Sequence, residues 1–228
     1  MQQLLKSYKM DTKYWIERWQ AGKIGFHAIE VNSQLKEFWP TLPVEPSTPV
    51  LVPFCGKSLD MVWLYNQGHP IVGVEISEIA CRDFFNEQRL SPKVSTVKNF
   101  KIFESEHIRL ICGDFYELTE DLLPNKFAIF DRASLVSLPS DMRTCYARKI
   151  ADLSPSGTTM LLITLRYAQN IMKGPPFSLK FSDIRGLYSD SFEIQPLKSI
   201  NRIEQLKKFK ERGLQEIWEE SYKLTRQL

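Results

Sequence analysis

The residues best suited to ligand chemistry are a glycine and an acid that follow two consecutive apolar segments. Gly56 lies in the turn after the apolar run 50–52, where the absence of a Cβ atom lets the backbone approach a ligand. Glu75 closes the next apolar run about twenty residues later, where an acid can accept hydrogen bonds from both hydroxyls of a ribose. The pair therefore predicts a nucleoside site. In the alternative interpretation, the turn only connects two strands and Glu75 is solvated.

Aromatic residues near the N-terminus could cover such a ligand. Trp15 and Trp19 are four residues apart, so they share one face of a short helix predicted over about 13–20. A loop flanked by glycines then presents Phe26, which favours a cover over the site. The alternative is that the two tryptophans only anchor the helix on the core.

A second acid, Asp114, follows the apolar segment 108–112 and a glycine. Its carboxylate could accept a hydrogen bond from an adenine amino group. It could equally cap the segment that follows it. Both interpretations stay open.

Composition and charge disfavour several other functions. The formal net charge of +3 over 228 residues is too small to indicate a nucleic-acid or membrane partner. The basic stretch 207–212 is interrupted by Phe209 and Glu211, which is typical of a solvated face. No apolar run has the length of a membrane span, and the N-terminus lacks the long apolar segment of a secretory signal.

Cysteine and histidine are too scattered to predict a metal site, since the four cysteines form no C-x-x-C pair. Reduced thiols in a cytosolic compartment are the expectation. Cys55 lies near a predicted helix N-terminus, where a thiolate is stabilised. No histidine stands beside it in the sequence, which disfavours a nucleophilic cysteine.

Strands and helices alternate along much of the chain and predict an open α/β sheet. A helix is predicted over about 57–67, a hairpin over 100–112, and a polar loop over 91–99. Further along, Ser140 is predicted to cap a helix, and 192–197 is predicted to pair antiparallel with 214–223. The long loop 167–180 is predicted to cover a substrate.

Several motifs together resemble the thiopurine S-methyltransferase family. They are PFCGKSLDMVWL, GHPIVGVEISEIACRDFF, YWIERWQAGKIGFH, CGDFYEL, FDRASLVSLP and KGPPFS, and they cover about 14–180. The resemblance implies a class I, Rossmann-like methyltransferase: a seven-stranded, mostly parallel sheet with helices on both faces and one antiparallel edge strand. It also implies a single domain over 1–228, with N-terminal lid helices in 1–40 and the Rossmann-like core in 49–228.

The resemblance implies that the cofactor is S-adenosylmethionine and that S-adenosylhomocysteine is the product. The cofactor-binding residues would be Trp15, Trp19, Phe26, Phe54, Cys55, Gly56, Glu75, Asp114, Phe115 and Arg132. The substrate-binding residues would be Phe26, Arg132 and Lys208, because a C-terminal arginine that helps the acceptor in some relatives corresponds to a position near Lys207 or Lys208.

The implied catalytic residue is Arg132, whose positive charge would favour the thiolate of an acceptor thiol. The alternative is a local salt link between Asp131 and Arg132. Neither a metal ion nor an acid–base pair would be required. The expected protein is a cytoplasmic monomer that methylates a small aromatic or heterocyclic thiol.

Other functions stay open at this stage. The acceptor could instead be a selenium or tellurium compound or a halide, and the protein could bind S-adenosylmethionine without turnover. A nicotinamide-dependent oxidoreductase is disfavoured, because the turn has only Gly56 in place of G-x-G-x-x-G. Phe54 and the DRAS sequence at 131–134 depart from the usual family pattern. These departures bear on the acceptor more than on methyl transfer.

Overall fold

The computed structural model describes residues 12–227, and these fall into two compact units that divide after Ile129. Residues 1–11, at the start of the predicted lid range, and residue 228 lie outside the described part. The helices are α1 (12–20), α2 (Ser33–Phe38), α3 (Leu59–Asn66), α4 (Glu78–Glu87), α5 (Ser140–Leu153), α6 (Phe181–Tyr188) and α7 (Lys207–Lys210). The strands are β1 (Val50–Pro53), β2 (Ile71–Glu75), β3 (Lys93–Val97), β4 (Phe100–Ser105), β5 (Ile108–Cys112), β6 (Ala128–Arg132), β7 (Thr159–Arg166), β8 (Phe192–Asn201) and β9 (Trp218–Arg226).

In the first unit the strands follow the order β3-β4-β5-β2-β1-β6. The strand β1 pairs in parallel with β2 and with the start of β6, and β2 pairs in parallel with β5. Every residue of β1 and β2 is buried, which explains their continuous apolar sequences. The α/β class is confirmed.

Two helix caps near the first turn show how the local sequence determines where α2 and α3 begin. The Ser58 side chain accepts from the N–H of Asp60 and starts α3 at Leu59, two residues later than predicted. The Asn32 side chain caps α2, and the Asn32 N–H donates to Asp60 Oδ1 at 2.8 Å. The helix α2 is thereby attached to the first turn of α3.

Gly73, in the middle of β2, permits close packing from three directions. A Cβ atom there would lie 2.5 Å from the Leu110 side chain, 2.7 Å from Cys55 Sγ and 3.2 Å from Met61 Sδ. Contacts below 3 Å are not tolerated, so a side chain at this position would displace its neighbours.

The number of strands differs from the prediction. The described residues form nine strands, where seven were expected. One addition is β3, in the segment 91–99 that was predicted to be a loop. It pairs antiparallel with β4, and all five of its side chains are exposed. An edge strand without a buried face shows no apolar alternation, although KVSTV is rich in β-branched residues.

In the second unit, β6 and β7 are neighbours, and β9 pairs antiparallel with both β7 and β8. The predicted antiparallel pairing near the C-terminus is confirmed, and Pro196 lies at an irregularity in β8. Ser140 is the first residue of α5, and the cap is Pro139, so the predicted cap was wrong by one residue.

The loop 167–180 is held by its own hydrogen bonds. Ser178 Oγ accepts from the Tyr167 N–H at 2.9 Å, and Gln169 Nε2 donates to the Met172 carbonyl at 2.6 Å. Two residues of this loop, Tyr167 and Met172, belong to an apolar cluster whose other members are Ile203, Phe209, Leu214 and Ile217. Among the described residues, no helix is both long and apolar enough to cross a membrane.

Candidate functional site

Glu75 ends β2 with its carboxylate buried, since only 5% of the residue surface is exposed. Its Oε2 accepts from the N–H of Gly56 at 2.9 Å, and its Oε1 accepts from the N–H of Ser77 at 2.8 Å. Burial raises the pKa of Glu75 to about 6, although hydrogen bonds from Ser77, Gly56 and Ile76 oppose this shift. The alternative interpretation, in which Glu75 is solvated, is therefore excluded.

The turn between β1 and α3 has the backbone conformation that its glycine permits. Gly56 has a φ of +52°, and Phe54 has a φ of +46°. A Cβ atom at Gly56 would lie 3.2 Å from the indole ring of Trp19. Both the backbone angle and the ring above it therefore favour glycine at this position.

Lys57 fastens this turn to α4. Its side chain is largely buried, and Nζ lies 2.5 Å from Glu87 Oε1 and 3.8 Å from Asp83 Oδ2. Because α4 is capped by Ser77, whose N–H also binds Glu75, the turn and the helix both hold the carboxylate. We call Gly56, Ser77 and Glu75 the carboxylate cradle.

Three aromatic residues of the N-terminal segment form one cluster. The ring centroid of Phe26 lies 5.2 Å from that of Trp15 and 5.6 Å from that of Trp19, both edge to face. Trp19 is buried and contacts the Gly56 turn, whereas Trp15 is half-buried and Phe26 is exposed. The anchoring interpretation therefore describes Trp19, and a cover formed by Trp15 and Phe26 stays a prediction.

Asp114 and Phe115 follow β5. The Asp114 side chain accepts from the N–H of Tyr116 at 2.9 Å, so it caps the short turn that follows, as one of its two interpretations predicted. Phe115 packs edge to face against Phe54, with their centroids 5.4 Å apart. The two phenylalanines thus connect the first turn with the end of β5.

Cys55 has no features of a nucleophile. It is buried, and its pKa is raised well above the usual range, first by burial and then by the charge of Glu75. Since the thiolate is the reactive form, both effects disfavour nucleophilic catalysis.

Arg132 is the last residue of β6 and is half-buried in the second unit. Its neighbour Asp131 is fully buried, where Oδ2 accepts from the Tyr146 hydroxyl at 2.8 Å and Oδ1 from the Leu135 N–H at 3.4 Å. Burial raises the pKa of Asp131 to about 6, against the hydrogen bonds from Tyr146 and Leu135. Asp131 therefore forms hydrogen bonds with other residues of the second unit. The catalytic role of Arg132 stays a prediction.

Lys208, on α7, lies among other cations of the second unit. Although the residue is exposed overall, partial burial lowers the pKa of its ammonium group, and the charges of Arg212 and Arg132 lower it further. Lys208 Nζ lies 5.2 Å from the centre of the Phe209 ring. We call Arg132, Lys208 and Arg212 the cation group.

Arg212 is a member of this group that the sequence analysis did not single out. Its Nη1 donates to Met172 Sδ at 3.7 Å, and its Cζ lies 5.9 Å from the centre of the Phe209 ring. The available signal was an arginine at the end of the basic stretch 207–212, but nothing in that run distinguishes it from the three other basic residues.

The candidate residues therefore fall into two sets. The first unit brings together the carboxylate cradle, the aromatic cluster and the Phe54–Phe115 pair. The second unit brings together the cation group. Within residues 12–227, no set of three or more histidine, cysteine, aspartate or glutamate side chains is arranged to hold a metal ion.

Comparison with protein families and curated proteins gives a consistent result. A model of the thiopurine S-methyltransferase family matches residues 10–227. A thiopurine S-methyltransferase of Pseudomonas syringae pv. syringae is 39% identical over 218 residues, which are 96% of this chain and 99% of the relative. One from Azotobacter vinelandii is 40% identical over 217 residues, covering 95% of this chain and 100% of the relative.

Solved structures of other methyltransferases share the fold. A methyltransferase from Anabaena variabilis, described as S-adenosylmethionine-dependent, has a TM-score of 0.66 at 13% identity, covering 95% of each chain. A 1,6-didemethyltoxoflavin-N1-methyltransferase from Burkholderia thailandensis, solved with S-adenosylhomocysteine, has a TM-score of 0.64 at 14% identity, covering 96% of this chain and 88% of that one. The fold is therefore that of the class I methyltransferases, as predicted.

Proposed function

Because the chain belongs to the thiopurine S-methyltransferase family, we propose that it methylates the thiol of a small aromatic or heterocyclic acceptor, with S-adenosylmethionine as the methyl donor. The observation that supports this most strongly is the carboxylate cradle, in which a buried acid stands at the carboxyl end of a parallel strand beside a glycine turn. This is the position at which α/β sheets bind nucleosides.

The residues of the first unit suit the nucleoside part of the donor. A carboxylate has about four acceptor sites, and the three amide groups at Glu75 leave capacity for a ribose hydroxyl. Phe54 and Phe115 offer apolar surface to the adenine. Trp15 and Phe26 offer aromatic faces, which attract a positively charged sulfonium group.

The cation group suits the acceptor. A thiol is a weak nucleophile until it ionises, and a nearby guanidinium stabilises the thiolate. Arg132 is the proposed catalytic residue for this reason, with Lys208 and Arg212 attracting the same charge. When bound, S-adenosylmethionine supplies an electrophilic methyl group on a sulfonium sulfur.

The contribution of this chain to the rate would be positioning and the exclusion of water. No residue has to remove a proton at the moment of transfer, because the acceptor enters or is held as a thiolate. The proposal extends to a monomer in the cytoplasm that needs no metal ion and binds neither nucleic acid nor membrane.

Calorimetric titration tests the donor side. S-adenosylhomocysteine should bind in preference to NADH. Tighter binding of NADH would disprove the methyltransferase proposal and favour an oxidoreductase on the same βαβ unit.

A methyl-transfer screen tests the acceptor side. Aromatic thiols, aliphatic thiols, selenite and halides would be offered with S-adenosylmethionine, and methylated products would be quantified by mass spectrometry. Aromatic or heterocyclic thiols should give the highest kcat/KM. A preference for selenite or a halide would show that the acceptor is not a thiol. Binding of the donor without any product would indicate a non-catalytic binding module.

A further inference from the structure

Arg143 is a buried arginine that the proposed methyl transfer does not use. It lies in the first turn of α5, and only 9% of its surface is exposed. Its Nε donates to the Leu138 carbonyl at 3.0 Å, which is the only hydrogen bond of this side chain within residues 12–227. Its two Nη groups, which carry most of the donors of a guanidinium, thus have no partner in the described part of the chain.

A buried cation without an anion is unfavourable. Taking a charge out of water costs free energy that only an opposite charge or hydrogen bonds recover. Burial lowers the pKa of Arg143, and Asp183 and Tyr167 oppose this shift. The Asp183 carboxylate is engaged elsewhere, since its Oδ2 accepts from the N–H of Lys180 at 2.7 Å at the start of α6. Among the described residues, no carboxylate therefore forms an ion pair with the guanidinium.

Two contacts orient the guanidinium. Besides the Leu138 carbonyl, the Phe177 ring lies against it, with 5.7 Å between Cζ and the ring centre. The ring is held in place, because the Phe177 N–H donates to the Val136 carbonyl at 2.6 Å and a Cβ atom at Gly174 would lie 2.5 Å from the ring. An arginine held in this way presents a planar fork of N–H groups, the geometry that matches a carboxylate with two parallel hydrogen bonds.

Arg143 lies beside the segments that follow β6 and β7. Val136 belongs to the segment between Arg132 and α5, and Phe177 belongs to the loop 167–180. The strands β6 and β7 are neighbours in the sheet, and the hydrogen bond between Phe177 and Val136 joins the segments that follow them. Open α/β sheets bind ligands outside the carboxyl ends of their strands. Arg143 therefore lies on the side of the second unit on which Arg132 is proposed to meet the acceptor.

We propose that Arg143 binds a carboxylate on the acceptor, so that the preferred acceptor is an aromatic thiol that also carries a carboxylate. This inference rests on the proposed function. Arg132 keeps its role at the thiolate, and Arg143 supplies hydrogen bonds at another point of the same molecule. Because the carboxylate does not react, Arg143 determines specificity without taking part in the transfer.

Two acceptors that differ in this one group test the proposal. The thiols 4-mercaptobenzoate and 4-mercaptobenzamide have nearly the same shape, but only the first has a negatively charged carboxylate. Initial rates with S-adenosylmethionine give kcat/KM for each thiol, and the ratio of the two values measures the preference for the carboxylate. The parent protein should prefer the carboxylate by about 10–100-fold, the effect of hydrogen bonds between charged groups. A ratio near one, or a preference for the amide, would overturn the proposal.

Variants assign the preference to Arg143. Arg143→Gln should bring the ratio close to one, and Arg143→Lys should retain part of the preference, because lysine keeps the charge but not the planar fork. Arg148→Gln is the matched control, since Arg148 is an exposed arginine on the same helix, and its ratio should equal that of the parent. Circular dichroism shows whether each variant is folded. If Arg143→Gln is not folded, Arg143→Lys decides, and an undiminished ratio in that variant would contradict the proposal.

Two other roles of Arg143 give different results. If the arginine only holds the loop 167–180 in place, Arg143→Gln should lower kcat/KM for both acceptors by the same factor, and the ratio should stay at its parent value. If it binds the carboxylate of the donor instead, Arg143→Gln should weaken the binding of S-adenosylhomocysteine by about tenfold or more, measured by calorimetry. Either result would overturn the proposal.

A binding experiment separates this proposal from the proposed function. Benzoate and benzamide would be titrated into the protein in the presence of S-adenosylhomocysteine, and binding would be followed by NMR spectroscopy of the ligands. Benzoate should bind to the parent protein about tenfold more tightly than benzamide, and this advantage should be lost in Arg143→Gln. If the advantage is found but no thiol is methylated, the proposed function fails and the carboxylate site stands. If thiols are methylated but benzoate has no advantage, the carboxylate site fails and the proposed function stands.

Discussion

The carboxylate cradle and the cation group are held by different kinds of interaction. Backbone N–H groups at 2.8 and 2.9 Å hold Glu75, and the positions of those groups follow from a turn and a helix cap. The cation group depends on long side chains, two of which extend from or just beyond a helix of four residues. Backbone donors cannot be substituted away, whereas each member of the cation group can change by a single mutation.

This difference separates donor recognition from acceptor recognition. A cradle made by the fold should bind the same nucleoside in every protein that keeps the turn. A group made of side chains can be altered without disturbing the sheet. We therefore expect acceptor preference to change more readily than donor preference, and substitutions in each unit test whether the separation holds.

The largest expected effect is that of Arg132→Gln on methyl transfer. Without the guanidinium, kcat/KM for a thiol should fall by about 10²–10³-fold, the usual effect of removing one donor to a developing anion. The loss should be greater below the pKa of the acceptor thiol than above it. Above that pKa the acceptor is already a thiolate, so its ionisation no longer has to be favoured by Arg132. Initial rates over a range of pH measure both effects.

Two further variants interpret that result. Arg148→Gln, an exposed arginine on α5, should leave kcat/KM unchanged. Arg132→Lys should recover part of the loss, because it keeps the charge but not the planar fork. Equal losses at every pH would argue against thiolate stabilisation.

The next largest effect is that of Glu75→Ala on donor binding. S-adenosylhomocysteine should bind more weakly by about 1.5–3 kcal/mol, the scale of hydrogen bonds to a charged group. Isothermal titration calorimetry measures this, with Glu78→Gln as a control, since Glu78 is a surface acid that pairs with Arg82 and Lys101. Loss of donor binding in the control but not in Glu75→Ala would show that the cradle is not the nucleoside site.

Each unit contains a buried acid whose pKa is raised to about 6, Glu75 in the first and Asp131 in the second. Such an acid holds its proton more tightly in the folded protein than in the unfolded chain. Its contribution to stability is therefore present at low pH and is lost as the pH rises from about 4 to about 6, by about 2 kcal/mol per group. Urea denaturation at a series of pH values measures the decline.

The variant Asp131→Asn distinguishes the contribution of Asp131 from that of Glu75 in this experiment. It removes one titrating group and should reduce the decline, while the part due to Glu75 persists. A stability that rises over the same pH range in the parent protein would show that one or both acids are stabilised as anions.

A smaller effect is expected for Gly56→Ala. The positive φ of +52° should cost about 1 kcal/mol in the free energy of unfolding, and contact with the Trp19 ring should add to it. Gly22→Ala is the matched control, because Gly22 has a similar φ of +64° and a Cβ atom there would have no neighbour within 4 Å. Equal losses in the two variants would show that the ring moves aside freely.

Much of the first unit could be predicted from sequence because its signals are local. The apolar runs of β1 and β2, the glycine turn and the position of Glu75 follow from strand burial and turn chemistry. The partners of Glu75 could not be predicted, because the N–H groups of Gly56 and Ser77 carry no residue-specific signal. The contact of Trp19 with Gly56 depends on how the chain folds back, which no spacing indicates.

The cation group was harder to predict for a related reason. Lys208 and Arg212 lie in a run of basic residues, and the proximity of Lys208 to Arg132 arises because the fold brings together segments that are distant in sequence. The strand β3 was missed because none of its side chains is buried. Sequence patterns mainly indicate which residues are buried. A fully exposed strand and a cluster of charged side chains therefore produce no pattern from which they could be predicted.

Gly73 and β3 lie in the same sheet but differ in how well each should tolerate substitution. Any substitution at Gly73 would place atoms within 2.5–2.7 Å of Leu110 and Cys55, so only compensating changes at those positions could accompany it. The five residues of β3 face solvent and can drift independently. Among relatives that keep this fold, divergence should accumulate along β3 while Gly73 is preserved, and the two rates of change should differ even where both segments are far from any ligand.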